Sequence, residues 1–153
     1  MKVVTFNIRC DYGQDGLNEF ANRKELILRK INQEKPDIIG FQEVLPHVAK
    51  WLKENLNEYY VIGCGRGANL RDEQMSIAYR RDRINLISMK TWWLSQTPDV
   101  PGSRYEEQSS CPRTATEAVF EDIKSGKVFR FINTHLDHIG AQAREKGLTQ
   151  IIN

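Results

Sequence analysis

The sequence predicts an α/β fold in which helices and strands share one domain spanning residues 1–153. Residues 2–56 alternate strand-like apolar runs with amphipathic helical runs, and residues 59–133 hold five β-rich runs separated by turn-forming residues. With 153 residues, 40% hydrophobic and 27% charged, the chain can bury the core of a single domain. No repeat or low-complexity tract divides it.

Two strand–helix pairs are predicted at the start of the chain. Leu26, Ile27 and Ile31 recur at helical spacing, Pro36 ends that helix, and Pro46 can begin the next one. The predicted elements are a strand at residues 2–8, a polar loop at 11–18, a helix at 21–34, a strand at 37–42 and a helix at 47–56.

The remainder of the chain is predicted to be mainly strands and turns. Gly126 supplies the turn conformation that a hairpin at residues 124–127 needs. The predicted elements are strands at residues 59–62, 76–79, 84–94, 115–120 and 128–133, an irregular loop at 98–112, and a terminal helix at 141–153.

Charge and cysteine content limit the classes of function. The formal net charge is +2, from 22 basic and 20 acidic residues. Nucleic acid is a possible partner, but the overall charge does not indicate it. Three widely spaced cysteines without a C-x-x-C pair argue against a disulfide framework and favour reduced thiols in the cytoplasm. We find neither a signal-peptide apolar core nor a run of membrane-spanning length.

Polar side chains follow two predicted strands at the point where each strand ends. Asn7 interrupts an apolar run, and Glu43 follows the buried strand at residues 37–42. A carboxylate at a strand end suits Mg²⁺, which takes few protein oxygens and keeps several waters. Taken singly, a strand-end turn amide and an ordinary solvated glutamate explain these two residues equally well.

The densest polar cluster follows the strand at residues 128–133. In Asn133-Thr134-His135-Leu136-Asp137-His138, continued alternation would place every second residue on one face, so His135 could meet a phosphate while Asp137 orients a neighbouring group. A zinc site built from His135, Asp137 and His138 is the chemical alternative. The sequence lacks H-E-x-x-H and paired-cysteine motifs that would complete such a site.

Five segments in order resemble the endonuclease/exonuclease/phosphatase family. They are TFNIR at residues 5–9, PDIIGFQEV at 36–44, SIAYRRDR at 76–83, WLSQTP at 93–98 and NTHLDH at 133–138. Each segment alone is loosely specific, but five in the family order along the whole chain make coincidence a poor explanation. The last two resemble small bacterial members in particular.

The resemblance implies a four-layered, DNase I-like α/β sandwich of two packed mixed β-sheets with outer helices. It implies a divalent cofactor, Mg²⁺ or Mn²⁺, and a phosphoester substrate. Glu43 would be the metal ligand, Asn7 would belong to the metal and water shell, and His135 would donate to the phosphate. Further implied roles are catalysis for Asp137, substrate binding for Arg23, orientation of His135 for Glu73, and orientation of neighbouring groups for Gln42.

The sequence departs from the family pattern in one respect. It contains neither a Gly-Asp-x-Asn motif nor a Ser-Asp-His motif, which family members carry in a further segment. We therefore expect half of the site and part of the sandwich to lie outside this chain. Exposed sheet surface would then favour self-association, and a non-catalytic module that binds a phosphate ligand or a partner is the alternative function.

Overall fold

The computed structural model describes residues 1–153 and contains seven strands and three α-helices. The elements are β1 (Val3–Asn7), α1 (Phe20–Glu34), β2 (Ile38–Gln42), α2 (Pro46–Asn55), β3 (Tyr59–Ile62), β4 (Ile77–Arg80), β5 (Ile84–Trp93), β6 (Thr114–Asp122), β7 (Val128–Thr134) and α3 (Ala141–Ile152). Every predicted strand and helix is present, with bounds shifted by at most two residues. The polar loop contains a short 3-10 turn at Gly16–Asn18 that the sequence pattern did not predict.

The first sheet has the strand order β1-β2-β4-β3 and is mixed. Strands β1 and β2 run parallel, with Asn7 opposite Gln42, whereas β4 pairs antiparallel with both β2 and β3. All five residues of β2 are buried because both faces of this central strand are covered. The parallel pair brings the carboxyl ends of β1 and β2 to the same edge of the sheet.

Helices α1 and α2 cover one face of the first sheet. Their buried side chains, including Ile27, Ile31 and Leu52, form one core cluster with Ile39 and Phe41 of β2. Helix α1 ends at Glu34 because Lys35 adopts a left-handed conformation, with φ of 44°, directly before Pro36. Pro46 occupies the first turn of α2, as predicted.

The second sheet packs against the other face of the first. It has the order β5-β6-β7, and its three strands pair antiparallel. Ile38, Ile77 and Tyr79 of the first sheet share a core cluster with Ala118 and Phe120 of the second. The layers therefore run helices, sheet, sheet.

Helix α3 lies at the end of the second sheet. Gly147 on α3 allows close approach to Leu94, since a Cβ on Gly147 would lie 3.1 Å from the Leu94 Cδ1 atom. No helix of the chain combines the length and apolar character needed to cross a membrane. The three cysteines are free, as the sequence predicted.

Candidate active site

The parallel pairing of β1 and β2 places Asn7 and Glu43 side by side. The chain turns sharply after each strand, and Arg9 and Glu43 both adopt left-handed conformations, with φ of 63° and 62°. Non-glycine residues rarely take such angles, which persist where the surrounding structure fixes them and which cluster at functional sites. These two turns direct polar groups to one edge of the first sheet.

Both carboxylate oxygens of Glu43 are held by hydrogen bonds. Asn7 Nδ2 donates to Oε1 over 2.8 Å, and the Cys10 backbone N–H donates to Oε2 over 2.7 Å. Partial burial acts to raise the pKa of Glu43, but these hydrogen bonds outweigh it and hold the pKa below its ordinary value. Glu43 is therefore ionised at neutral pH and fixed in orientation.

His135 follows β7 on the opposite sheet and reaches the same region. Its ring is partly buried, and its Nδ1 atom is buried without a hydrogen-bond partner in the protein. Burial lowers the pKa of His135, and the nearby charge of Arg113 lowers it further, against the opposing charges of Glu43 and Glu73. The imidazole is consequently neutral at neutral pH, with a ring nitrogen that the protein does not use.

Glu43 and His135 line one cleft of about 490 Å³. Residues that follow β2 and β7 therefore contribute to the same cleft. Burial raises the pKa of the cleft thiol Cys10 to about 12, so Cys10 is protonated and is not an activated nucleophile. The lining residues are Arg9, Cys10, Tyr12, Gln14, Asp15, Glu43, Arg66, Glu73, Cys111, Arg113, His135 and His138.

Two buried arginines in the cleft, Arg66 and Arg113, were not found by the sequence analysis. They are only 3% and 5% exposed. Arg66 follows β3 in a segment that Trp93 fixes, because the indole N–H donates to the Arg66 carbonyl oxygen over 2.6 Å. Arg113 directly precedes β6. Neither lies in a motif, and burial of an arginine cannot be read from local composition.

Asp137 does not line the cleft, which corrects its predicted catalytic role. The side chain is buried and accepts hydrogen bonds from the backbone N–H groups of Ser109, Ile139 and Gly140 and from the Ser109 hydroxyl. Its Oδ1 also accepts from Arg113 Nε over 3.3 Å. Asp137 therefore has an architectural role, and the neighbouring group that it orients is Arg113.

Arg23 is likewise used by the protein itself, against its predicted substrate-binding role. Its Nε donates to the Asn18 carbonyl oxygen over 2.6 Å, and its Nη1 and Nη2 donate to the carbonyl oxygens of Ile8 and Arg9 over 2.5 and 3.2 Å. Arg23 does not line the cleft. These hydrogen bonds connect the turn after β1 to α1. A local sequence pattern does not reveal such a contact.

Glu73 does line the cleft but makes no hydrogen bond to His135, so the predicted orienting contact is absent. Its Oε1 instead accepts from the Tyr12 hydroxyl and from Arg66 Nη2, each over 2.9 Å. Because Tyr12 lies in the polar loop after β1, Glu73 anchors that loop beside the cleft. Its charge still acts on His135 by opposing the fall in the imidazole pKa.

Gln42, for which an orienting role was predicted, makes a contact between the two sheets. Its Nε2 donates to Asn133 Oδ1 over 2.7 Å, and Asn133 Nδ2 donates to the carbonyl oxygens of Phe41 and Ser76 over 2.7 and 3.0 Å. All three side-chain contacts are buried. They fix the register between β2, which precedes Glu43, and β7, which precedes His135.

The donor set fits a hard cation better than zinc. No three His, Cys, Asp or Glu side chains converge on one point, so His135, Asp137 and His138 do not form a three-ligand cluster in this structure. One oriented, ionised carboxylate on a cleft wall is what Mg²⁺ requires of the protein when water and phosphate oxygens complete the shell. Glu43 meets that description.

A two-sheet sandwich with its polar cleft where β1, β2 and β7 end defines an α/β protein of the DNase I-like fold. The sequence profile described as the Endonuclease/Exonuclease/phosphatase family matches residues 4–106, and the chain belongs to that family. The matched range includes Asn7 and Glu43. His135 lies beyond it, and its assignment to the site comes from the geometry.

Similar proteins share the structure over nearly the whole chain. A Bacteroides vulgatus endonuclease/exonuclease/phosphatase is 39% identical with a TM-score of 0.93, covering 97% of this chain and 57% of that one. A Bacteroides thetaiotaomicron mannosyl-6-phosphatase is 32% identical with a TM-score of 0.93, covering 99% and 57%. A protein of Acanthamoeba polyphaga mimivirus is 29% identical over 90% of this chain and 54% of its own length. The chain thus spans just over half of these relatives.

Proposed function

We propose that this chain carries the Glu43–His135 part of the active site of a phosphoester hydrolase that depends on Mg²⁺ or Mn²⁺. The observation that carries the proposal is the shared cleft, in which an oriented, ionised carboxylate and a neutral imidazole approach from different sheets. Membership of a family of nucleases and phosphatases supports the reaction class.

Glu43 would hold the cation, and Asn7 would keep the carboxylate in place. The hydrogen bonds from Asn7 and Cys10 leave further lone pairs on the two Glu43 oxygens for a ligand. A bound divalent cation would neutralise charge on the phosphate and lower the pKa of water. The Asn7 amide oxygen already accepts from the Arg9 backbone N–H over 2.9 Å, so we assign Asn7 an orienting role.

His135 would hydrogen-bond a phosphate oxygen or the leaving oxygen. Its buried Nδ1 atom has no partner within the protein, although buried polar atoms are nearly always satisfied. The Nε2 atom also makes no hydrogen bond to the protein but is not buried, so Nε2 is the ring nitrogen that a phosphate oxygen can reach. Because its pKa is lowered, the His135 imidazole is neutral at neutral pH and can accept a proton directly.

The substrate is proposed only as a phosphoester. A relative named a mannosyl-6-phosphatase, 32% identical to this chain, supports activity on phosphate esters. The net charge of +2 gives no support for a strong nucleic-acid affinity. Reduced, free cysteines support a cytoplasmic location.

Complete activity would also need groups that this sequence does not contain. The Gly-Asp-x-Asn and Ser-Asp-His motifs are absent, and the relatives are nearly twice as long as the region they share with this chain. A second carboxylate or imidazole to activate water would come from such a segment. The 153 residues supply binding and orientation on one side of the cleft.

The proposal is tested with a chimera. The chain is joined to the part of the Bacteroides vulgatus relative that the structural match leaves uncovered, and release of p-nitrophenol from p-nitrophenyl phosphate is followed with Mg²⁺ and with EDTA. We expect Mg²⁺-dependent turnover, with Glu43→Gln and His135→Ala each lowering kcat by roughly 10²–10⁴-fold. Glu25→Gln, an exposed position on α1, is the control and should be unchanged.

Two results would contradict the proposal. Rates in Glu43→Gln or His135→Ala equal to the parent rate would remove those residues from the site. A folded chimera that binds phosphate esters but never hydrolyses them would favour the non-catalytic binding module instead.

A further inference from the structure

The two buried arginines of the cleft have unused hydrogen-bonding capacity. Arg66 donates from Nε to Asp72 Oδ2 over 3.1 Å and from Nη2 to Glu73 Oε1 over 2.9 Å. Arg113 donates from Nε to Asp137 and from Nη2 to His138 Nδ1. Neither Nη1 group donates to the protein, and neither Nη1 atom is among the buried atoms without a partner. Both residues line the cleft, so these two groups remain open to a ligand there.

The contact with Arg113 also fixes which ring nitrogen of His138 carries the proton. A guanidinium has no acceptor, so the 2.9 Å contact to His138 Nδ1 requires that nitrogen to accept and places the imidazole proton on Nε2. The His138 side chain is 64% exposed and lines the cleft. It therefore offers a further N–H donor beside the Nη1 group of Arg113.

The charges in the cleft differ in how far they are already neutralised. Arg9 is paired with Asp15 through two hydrogen bonds of 2.5 Å, which leaves it little capacity for an anion. The Arg113 partner, Asp137, already accepts four hydrogen bonds from Ser109, Ile139 and Gly140. Arg113 has one carboxylate partner, whereas Arg66 has two, Asp72 and Glu73, so Arg113 retains more positive charge for a ligand than Arg66 does.

We propose that Arg66, Arg113 and His138 form an anion subsite that binds the non-bridging oxygens of a terminal phosphate group, and that the preferred substrates are phosphate monoesters. The proposal rests on the proposed function and extends it to the substrate class. A monoester presents three non-bridging oxygens at neutral pH, one for each of the three donor groups, which are the two Nη1 groups and the His138 Nε2–H. A diester presents two such oxygens and one charge.

The test is anion binding to the 153-residue chain in EDTA, without metal. Inorganic phosphate, methyl phosphate and dimethyl phosphate are titrated while the arginine Nε–H and backbone amide resonances are followed by NMR. We expect saturable shifts at Arg66 and Arg113 with methyl phosphate, and a Kd for dimethyl phosphate at least about tenfold weaker. Equal affinity for the two esters, or shifts confined to other parts of the molecule, would overturn the proposal.

Variants separate the subsite from general charge. Arg113→Lys keeps the charge but loses the planar donor array, and His138→Ala removes an exposed donor, so each should weaken methyl phosphate binding by about tenfold. Arg29→Gln, an exposed arginine on α1, should leave the Kd unchanged. If Arg113→Lys fails to fold, His138→Ala decides, because that side chain is largely exposed; unchanged binding there contradicts the subsite.

The two proposals can fail separately. Under this inference, Glu43→Gln should bind methyl phosphate in EDTA at least as tightly as the parent chain, because a nearby negative charge is removed. Binding that survives while the chimera shows no Mg²⁺-dependent turnover would keep the subsite and reject the hydrolase. Turnover by the chimera without selective monoester binding would keep the hydrolase and reject the anion subsite.

Discussion

Glu43 and Asp137 are both carboxylates that follow the end of a strand, yet their hydrogen bonds give them different roles. Glu43 accepts two hydrogen bonds and stays partly exposed in the cleft, so it has capacity left for a ligand. Asp137 is 3% exposed, accepts four hydrogen bonds from the chain around it, and also accepts from Arg113. Asp137 lies two residues after His135 in sequence, but this proximity did not give it a place in the cleft.

Asp137→Asn should destabilise the protein by about 3–5 kcal/mol, because it leaves Arg113 buried without its carboxylate partner. Asp99→Asn, at an exposed loop position, is the matched control and should change the free energy of unfolding by less than about 0.5 kcal/mol. Urea denaturation at neutral pH measures both. Equal stability of Asp137→Asn and the parent would contradict the architectural role.

The same residue predicts a dependence on pH. Burial acts to raise the pKa of Asp137, but the hydrogen bonds from Gly140 and Ser109 hold it far below the ordinary value of 3.8. A lowered carboxyl pKa adds stability above the ordinary value, and that stability is lost as the pH falls below it. The difference in the free energy of unfolding between the parent chain and Asp137→Asn should therefore shrink progressively below about pH 3.8.

At the scale of elements, the cleft depends on how closely β2 approaches β7. Gly40 makes this approach possible, because a Cβ on Gly40 would lie 2.8 Å from Asn133 Oδ1 and 3.3 Å from Phe131 Cζ. Asn133 then reaches the carbonyl oxygens of Phe41 and Ser76. Glu43 is three residues after Gly40, and His135 is two residues after Asn133.

Gly40→Ala should cost about 1–3 kcal/mol, since the added methyl group overpacks the contact between the sheets. The cost should be smaller when Asn133→Ala is already present, because the atom that the methyl group would meet is then removed. A double-mutant cycle in urea measures this coupling. Strictly additive effects would show that the two residues do not meet as described.

The elements were largely predictable from sequence, whereas the partners of the site residues were not. Helix α1 followed from Leu26, Ile27 and Ile31, because periodicity is a local property. The roles of Arg23 and Glu73 depended on carbonyl and hydroxyl groups contributed by other parts of the chain. Arg113 was missed because its importance comes from Asp137 and the cleft, 24 residues away in sequence.

At the scale of the whole molecule, the second sheet presents open surface. Strand β7 is an edge strand, Val128 on it is 60% exposed, and Ile87 on β5 is 56% exposed. Unpaired edges with apolar side chains favour pairing with another chain. If the chain self-associates, as predicted from its sequence, we expect this sheet to form the contact.

Val128→Lys should reduce self-association of the 153-residue chain, because a charge on an edge strand opposes pairing. Sedimentation velocity over a range of concentrations measures the effect. Val100→Lys, at a loop position that is 53% exposed, adds the same charge elsewhere and should leave association unchanged. Identical behaviour of the two variants would attribute any change to net charge and not to the sheet.

Glu43 is proposed to hold a divalent cation in the cleft that it shares with His135. Titration with Mn²⁺, followed by paramagnetic broadening of backbone amide resonances, tests it in the chain itself. We predict selective broadening at Cys10, Glu43 and His135 that Mg²⁺ reverses, that Glu25→Gln retains and that Glu43→Gln abolishes. Broadening that persists in Glu43→Gln, or that centres on another part of the molecule, would contradict the claim.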